Sequence, residues 1–264
     1  MLSKNKIKLI KSLDTRKGRK REGLFVAEGH RLVGELIQTL RPAYIAATEE
    51  GTRLLNEMSV NSIVWEKLEG VVEVISKDEL CRASLLQTPQ DVIALFPIPE
   101  YNAYIDACAR QELCLALDGI QDPGNLGTIV RLADWFGIHD IFCSTVTADI
   151  FNPKAVQATM GALARVRVHY IDLLSELQQL PSDVPIFGTA LDGTVIWDAP
   201  LATNGVVVMG NEGNGITPEV SACCSQHLLI PRFPVDAIGT ESLNVAMATG
   251  IVLSEFRRRS VRTD

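Results

Sequence analysis

The sequence contains no apolar run that approaches the roughly 20 residues a helix needs to cross a membrane. Its N-terminus, from Met1 to Lys11, is basic and lacks the apolar core and small-residue cleavage site of a secretion signal. The usual marks of a membrane or exported protein are therefore missing, and we expect a cytoplasmic protein without a membrane partner.

Clustered metal ligands and a dinucleotide-binding fingerprint are also missing. None of the six cysteines forms a C-x-x-C pair and the four histidines form no H-x-x-x-H pattern, so we expect no disulfide framework and no metal. The pattern G-x-G-x-x-G does not occur either, which argues against an ordinary NAD-dependent oxidoreductase.

Negative charge predominates, which argues against a nucleic-acid partner because phosphate binding usually leaves a basic surface. The formal net charge is −7, from 25 Lys and Arg against 32 Asp and Glu. A basic run near the N-terminus weakens that objection, because it places nine cations against Asp14 and Glu22. The nine are Lys4, Lys6, Lys8, Lys11, Arg16, Lys17, Arg19, Lys20 and Arg21. Such a run is either a solvated, mobile segment or an arm that contacts phosphates, and the sequence leaves both open.

The first half of the chain has the pattern of a small α/β domain. Leu32, Val33, Leu36, Ile37 and Leu40 have helical spacing and predict a helix over 29–40. The other predicted elements are strands at 25–27, 43–47, 63–65 or 71–75, and 92–96, and a helix at 49–58. The Pro-rich stretch 96–100 is the best linker candidate. We therefore predict an N-terminal domain over 1–98, with residues 1–22 as a basic arm, and a linker over 99–105.

The second half, 106–264, alternates strands with helices and predicts a parallel sheet covered on both faces. The predicted strands are 113–117, 140–143, 166–168, 186–190, 206–209 and 227–230, and the predicted helices are 126–136, 153–163 and 242–259. Ligands of such sheets bind where loops leave the carboxyl ends of the strands. Three of those loops are unusual in composition.

The loop after 113–117 leads to two polar residues with competing explanations. Asn125 lies where a helix is predicted to begin, and asparagine is a favoured N-cap, so capping alone could explain it. Arg131 falls in a helical stretch otherwise suited to burial, and a buried arginine needs a partner. That partner could be Asp118 or Asp134 in a structural ion pair, or a reacting group.

The loops after 209 and 230 are the other two. The segment 210–215 places three glycines in six residues, which lets backbone approach a ligand, and a turn alone would not need Glu212. The third loop ends at Ser242 and Asn244, at the predicted start of the last helix. Ser242 could be a simple N-cap, whereas Asn244 inside the first turn is intrinsically unfavourable, which favours a side-chain role.

In this order the three loops resemble the signature motifs of the SpoU (TrmH) branch of the SPOUT RNA methyltransferases. The motifs read Asn125-x-Gly127-x-x-x-Arg131, then Gly210-Asn211-Glu212-Gly213-Asn214-Gly215, then Ile230-Pro231 followed by Ser242-Leu243-Asn244-Val245-Ala246. The resemblance is strong over 106–264. Residues 16–96 more weakly resemble the family's L30e-like RNA-binding domain, through Arg16-Lys17-Gly18-Arg19 and Phe25-Val26-Ala27-Glu28-Gly29. One departure is the loop 231–241, which is a few residues longer than is usual and bears on substrate choice more than on chemistry.

The resemblance implies methyl transfer from S-adenosylmethionine to a ribose 2′-hydroxyl of tRNA or ribosomal RNA, without a metal. It implies that Arg131 orients that hydroxyl and a phosphate and stabilises the developing negative oxygen. Asn125, Glu212, Ser242 and Asn244 would hold Arg131 and the ribose in place, with Glu212 able to pair with Arg131. The implied donor contacts are Thr189, Ala190, Met209, Gly210, Gly215, Ile230 and Leu243. A C-terminal trefoil knot and a homodimer with the active site near its interface are implied as well.

Two other functions remain compatible with the same motifs. An RNA-binding or ribosome-assembly factor would use this fold without turnover, and a SPOUT base methyltransferase would modify a ring nitrogen. The pairing of Asn125 with Arg131 and the Ser242-Leu243-Asn244 segment favour the ribose. The sequence distinguishes neither tRNA from ribosomal RNA nor one nucleotide from another, and DNA is not expected as a partner.

Overall fold

The computed structural model describes residues 1–58, 68, 70–234 and 242–260, and the chain divides into two compact units. The first consists of Met1–Glu100 with Asp149–Arg165, and the second of Tyr101–Ala148 with Val166–Asp264. The division after Glu100 falls within the predicted linker region, whereas the grouping of 149–165 with the first unit departs from the predicted domain 106–264. The alternative strand at 63–65 and residues 235–241 of the third loop lie outside the described residues.

The first unit is built on a small mixed sheet. Its elements are α1 (Lys4–Ser12), α2 (Arg16–Glu22), β1 (Leu24–Glu28), α3 (His30–Leu36), β2 (Tyr44–Ala47), α4 (Glu49–Met58), β3 (Val72–Val74), α5 (Lys77–Ala83), β4 (Val92–Pro97) and α8 (Pro153–Thr159). The strand order is β1-β4-β2-β3, with β4 antiparallel to both neighbours and β2 parallel to β3. The predicted strands and the helix at 49–58 are confirmed, and the helix predicted over 29–40 is shorter.

The basic N-terminal run is neither an extended arm nor a loose segment, because it forms α1 and α2. Ser3 and Thr15 cap the two helices by accepting hydrogen bonds from the backbone N–H of Lys6 and Gly18. Leu2, Ile10 and Leu13 are buried in the hydrophobic core of the first unit. These apolar residues occur once per helical turn or less, so the sequence of this basic run did not indicate that it contributes to the core.

Contacts distant in sequence join 149–165 to the first unit. The guanidinium of Arg19 donates to Asp149 Oδ2 at 2.6 Å, and Gln157 Nε2 donates to the carbonyl oxygen of Glu28 at 2.8 Å. The helix α8 ends at Thr159, before the predicted residue 163, because Met160 and Gly161 adopt left-handed backbone with φ of 51° and 96°. Local periodicity does not reveal such contacts.

The second unit has a six-stranded sheet whose paired neighbours are all parallel, in the order β10-β8-β9-β5-β6-β7. Its elements are α6 (Ile105–Gln111), β5 (Leu113–Asp118), α7 (Pro123–Trp135), β6 (Asp140–Ser144), β7 (Arg167–Ile171), α9 (Leu173–Gln178), β8 (Ile186–Val195), β9 (Gly205–Gly210), α10 (Pro218–Ser221), β10 (Gln226–Leu229) and α11 (Val245–Ser260). Every residue of the central strands β5 and β9 is buried, as continuous apolar runs predict for parallel strands. The predicted α/β class with a parallel sheet is confirmed, and the trefoil knot stays a prediction.

A buried carboxylate lies at the amino end of β6, the edge opposite the unusual loops. The side chain of Asp140 is fully buried and accepts hydrogen bonds from Arg167 Nε at 2.8 Å and His169 Nε2 at 2.7 Å. Burial by itself raises the pKa of Asp140, but the hydrogen bonds from His169 and Arg167 outweigh it and hold the pKa well below its usual range. The carboxylate therefore stays charged and joins β6 to β7.

We expect Asp140→Asn to lower the free energy of unfolding by about 2–4 kcal/mol at neutral pH, because a buried pair loses one charge. The lowered pKa means that this stabilisation is complete above the unfolded-state pKa of about 3.9 and is lost as the pH falls through the folded-state value. Urea unfolding at pH 7 and again at acidic pH measures both effects. Asp183→Asn is the matched control, because Asp183 is 73% exposed in its contact with Arg110. Equal stability of both variants at pH 7 contradicts the prediction.

Candidate active site

A cavity of about 580 Å³ opens at the carboxyl edge of the parallel sheet, beside β8, β9 and β10. All seven residues predicted to contact the methyl donor line it, together with Glu212 and Ser242. The seven are Thr189, Ala190, Met209, Gly210, Gly215, Ile230 and Leu243. Its volume is that of a small-molecule site.

The glycine-rich wall of this cavity closes on itself through backbone contacts. Asn211 and Gly215 exchange two hydrogen bonds, with N–H to carbonyl distances of 2.8 and 2.9 Å. Gly210 lies so close to this turn that a Cβ atom there would be 2.2 Å from both the Gly215 carbonyl carbon and the Ile216 nitrogen. Glycine is needed at 210 because backbone, which cannot rotate away, occupies the space of a side chain.

We expect Gly210→Ala to weaken S-adenosylmethionine binding at least about tenfold, equivalent to about 1.4 kcal/mol, because the wall of the cavity must shift. Gly213→Ala is the matched control in the same loop, since the nearest atom to its added Cβ is Asn211 Oδ1 at 3.6 Å. Calorimetric titration of both folded variants measures the difference. An unchanged affinity in Gly210→Ala would remove this loop from the donor site.

Three of the predicted catalytic residues form one hydrogen-bonded chain. Asn244 Nδ2 donates to Asn125 Oδ1 at 3.0 Å, and Asn125 Nδ2 donates to Glu212 Oε1 at 3.0 Å. An ionised carboxylate only accepts hydrogen bonds, so Glu212 orients the amide of Asn125, which in turn orients that of Asn244. The chain joins α7, the glycine-rich loop and the start of α11.

The helix starts differ from the prediction, and the difference frees Asn125 for this chain. The helix α7 begins at Pro123, and Asp122 is its N-cap, accepting from the backbone N–H of Asn125 at 2.8 Å. The alternative that Asn125 serves only as the N-cap is therefore wrong. Asp122 takes this position because Pro123 suits the first turn of a helix.

At α11 the capping alternative for Ser242 is also wrong. The helix begins at Val245, and Asn244 Oδ1 accepts from the backbone N–H groups of Ala246 and Met247 at 3.0 and 3.2 Å. Asn244 therefore precedes the helix in the bonding role of a cap, and its Nδ2 remains available for Asn125. Ser242 is exposed and lines the cavity.

Arg131 takes no part in the hydrogen-bonded chain of Asn244, Asn125 and Glu212, and it does not line the cavity. The buried face of α7 is formed by Leu126, Ile129, Val130 and Ala133, and Arg131 is exposed, so its expected burial is wrong. Among the described residues it makes no hydrogen bond or ion pair, which leaves the expected pairing with Glu212, Asp118 or Asp134 unsupported. Successive side chains of an α-helix point about 100° apart around its axis, so the residue after Val130 lies off the apolar face.

Sequence reasoning missed part of the cavity wall because β8 is irregular. Gln226 and His227 pair with Phe187 and Gly188, but Leu228 and Leu229 pair with Thr194 and Val195. The skipped stretch 189–193 bulges at the ligand edge of the sheet and supplies Leu191 and Asp192 to the cavity. The Asp192-Gly193 dipeptide was the available signal, since it marks a turn directly after a predicted strand.

Comparison with known proteins agrees with this geometry. Residues 112–254 match the SpoU rRNA Methylase family. The chain belongs to this family. Residues 4–94 match the MRM3-like substrate binding domain, and the predicted SpoU-type membership is confirmed.

Three relatives match nearly the whole length of this SpoU family member. A structure described as a putative RNA methyltransferase of the TrmH family from Porphyromonas gingivalis is 40% identical, with a TM-score of 0.83 over 98% of this chain and 99% of that one. An AdoMet-bound rRNA methyltransferase from Sinorhizobium meliloti is 27% identical, with a TM-score of 0.80 over 98% and 96%. The 23S rRNA (guanosine(2553)-2′-O)-methyltransferase RlmP of Bacillus subtilis is 29% identical over 96% of both chains.

Metal and membrane features are not found in the part of the chain that the structure describes. No group of three or more His, Cys, Asp or Glu side chains there could hold a metal ion. No helix among the same residues is long and apolar enough to span a bilayer. All six cysteines are free thiols.

Proposed function

We propose that this SpoU family member transfers a methyl group from S-adenosylmethionine to a ribose 2′-hydroxyl of ribosomal RNA. The observation that carries the proposal is the meeting of the donor cavity with the Asn244–Asn125–Glu212 chain, since Glu212 belongs to both. The Bacillus relative, which matches over 96% of both chains and is named as a 23S rRNA 2′-O-methyltransferase, supports ribosomal RNA over tRNA. The free thiols support the predicted cytoplasmic location.

The cavity suits S-adenosylmethionine by size and by the character of its walls. Backbone-rich segments at 210–215 and 228–230 can bind an adenine edge through N–H and carbonyl groups, whatever the side chains are. Asp192 also lines the cavity, and its carboxylate can accept hydrogen bonds from ribose hydroxyls. The bound donor supplies a methyl group on a positively charged sulfur, so the protein needs no further activation of the electrophile.

The protein's task is then to align the RNA ribose oxygen with that methyl group and to stabilise the charge that oxygen develops. Asn125, Glu212 and Asn244 hold one another's orientation, and Ser242 faces the same cavity. Arginine stays protonated, so Arg131 acts as a cation that orients the 2′-hydroxyl and a neighbouring phosphate. The ribose proton leaves to a phosphate oxygen or to water.

A homodimer accounts for the position of Arg131. A groove of about 560 Å³ runs between α7 and α11, lined by Leu132, Phe136, Met247 and Ile251 among others. Met247 is 65% exposed there, so the groove presents apolar surface that a partner could cover. A second copy packing on this groove about a two-fold axis would place α7 of each copy, with its exposed Arg131, beside the site of the other.

The test is transfer of labelled methyl groups to ribosomal RNA from cells that lack this enzyme, with the product mapped by alkali-resistant linkages. A 2′-O-methyl group at one site is the expected result. Methylation of a base nitrogen would assign the chain to another SPOUT branch. Donor binding without transfer to RNA or to ribosomal particles would instead identify an assembly factor.

A further inference from the structure

The first unit carries a set of cations that its fold does not use. Lys6 pairs with Glu73 at 2.6 Å, Lys11 Nζ donates to the Ser84 carbonyl at 2.5 Å, and Arg19 is buried against Asp149. Five others on α1 and α2 are exposed, with no hydrogen bond or ion pair to any residue that the structure describes. These five are Lys4, Lys8, Arg16, Lys17 and Lys20, here called the α1–α2 basic surface.

The backbone that carries this surface is held in place by helices and by contacts between them. Within each helix, Lys4 and Lys8 are one turn apart, as are Arg16 and Lys20, so each pair shares a face. A Cβ atom on Gly18 would lie 1.8 Å from the Ser12 carbonyl oxygen, so α2 packs directly against the end of α1. The guanidinium of Arg19 fixes the connection by donating to the carbonyl oxygens of Leu13 and Asp14 at 2.8 and 2.9 Å. The backbone of a surface held in this way needs no ordering when it binds a partner, so only side-chain entropy is lost.

Charge is unequally shared between the units. The first unit has 17 Lys and Arg against 15 Asp and Glu, a net charge of +2, whereas the second has 8 against 17, a net charge of −9. A polyanion is therefore repelled by the unit that holds the cavity and attracted to the first unit. The cations of α1 and α2 account for that attraction.

The chemistry of the surface selects among polyanions. A lipid membrane is disfavoured, because the apolar residues of this segment, including Ile10 and Leu13, are committed to the core and leave no face to insert. Unpaired RNA is also disfavoured, because neither helix carries an aromatic residue on which a base could stack. A regular double-helical RNA backbone offers phosphates alone and needs no stacking surface.

We propose that the α1–α2 basic surface binds the phosphate backbone of a double-helical RNA segment adjoining the nucleotide to be modified. This proposal rests on the proposed function in one respect, namely that the bound RNA is the substrate of methyl transfer. The surface contributes affinity and not sequence choice, because phosphate contacts position a protein without reading bases.

The test compares two double variants of the full chain that each remove two exposed positive charges. Lys17→Gln/Lys20→Gln alters the surface, and Arg41→Gln/Lys77→Gln is the control, since both of its residues are exposed in the same unit but outside α1 and α2. The probes are an RNA hairpin with a stem of about 16 base pairs and an unpaired oligouridylate of equal length. Deletion of 1–22 is unsuitable because it removes core residues.

The wild-type protein should bind the hairpin more tightly than the oligouridylate. Lys17→Gln/Lys20→Gln should weaken hairpin binding about tenfold and reduce the slope of log affinity against log salt by about 2, since each phosphate contact contributes about 1. The control should change neither. In transfer assays the surface variant should raise KM for RNA and leave kcat within about twofold of wild type.

Three results would overturn the proposal: equal hairpin binding by the surface variant and wild type, an equal loss in the control, or tighter binding of the oligouridylate. Binding to phosphatidylserine vesicles that is lost in the surface variant while hairpin binding persists would assign the surface to lipid and overturn it as well. Failure of the proposed function is separately visible, because a protein that transfers no methyl group can still show the salt slope.

Discussion

Arg131→Ala is expected to lower kcat for methyl transfer about a thousandfold while leaving the Kd for S-adenosylmethionine nearly unchanged. The reason is geometric, because Arg131 is exposed on α7 and does not line the cavity proposed to hold the donor, so its loss should leave that cavity intact. Single-turnover transfer and calorimetric donor binding separate the two effects. Activity close to wild type would exclude any role for Arg131 in the chemistry.

In the proposed dimer, Arg131 of one copy would complete the site of the other. Arg131→Ala and Asn244→Ala should each be inactive alone, yet their co-expressed mixture should recover about a quarter of wild-type activity. In a two-fold dimer, half of the random pairs would contain one complete site out of two. Arg131→Lys beside Arg131→Ala shows whether charge alone suffices, which it should not where two oxygens must be held together. A mixture that recovers nothing would place Arg131 and Asn244 in the site of the same copy.

The second large effect is expected from the carboxylate at the end of the hydrogen-bonded chain. Glu212→Gln should lower kcat about a hundredfold, because a glutamine can donate as well as accept and no longer imposes one orientation on Asn125. The matched control is Asn214→Ala, since Asn214 lines the same cavity and its side chain makes no hydrogen bond to the described residues. Steady-state kinetics with RNA in excess measures both variants.

A double-mutant cycle tests whether Glu212 acts through the chain. Glu212→Gln combined with Asn244→Ala should cost little more than either change alone, because both break one connected unit. Fully additive losses in kcat would show that the residues act independently. Large loss of donor affinity in Glu212→Gln, without a fall in kcat, would instead make it a donor contact.

Much of the fold followed from local patterns. The buried runs of β5 and β9 predicted a parallel sheet, and the helix α4 begins and ends at the predicted residues. The buried residues of a helix or strand are apolar and recur at a regular spacing. A short stretch of sequence shows that spacing, so these elements could be predicted. The seven residues predicted to contact the donor came from the family resemblance, and all of them line one cavity.

The sequence was less informative where contacts between distant residues overrode the local pattern. Asn125 looked like a cap, but Asp122 and Pro123 supply the helix start, and Glu212 takes up its side chain. The bulge in β8 depends on which of its residues pair with β10, and the sequence of β8 alone does not show that pairing. The N-terminal segment was not recognised as part of the core, because Leu2, Ile10 and Leu13 are too few to form a clear hydrophobic pattern among the cations.

By itself the sequence determined the family, the parallel sheet, the order of the three motifs and seven residues that line one cavity. Those properties depend on residue type and near spacing, through helical and strand periodicity and the backbone freedom of glycine. Only the tertiary structure decided that Asn244, Asn125 and Glu212 form one chain and that Arg131 faces outward from it. Hydrogen bonds between residues far apart in the chain depend on how whole elements pack, and so does the direction in which a side chain points. That packing is set by the entire core at once.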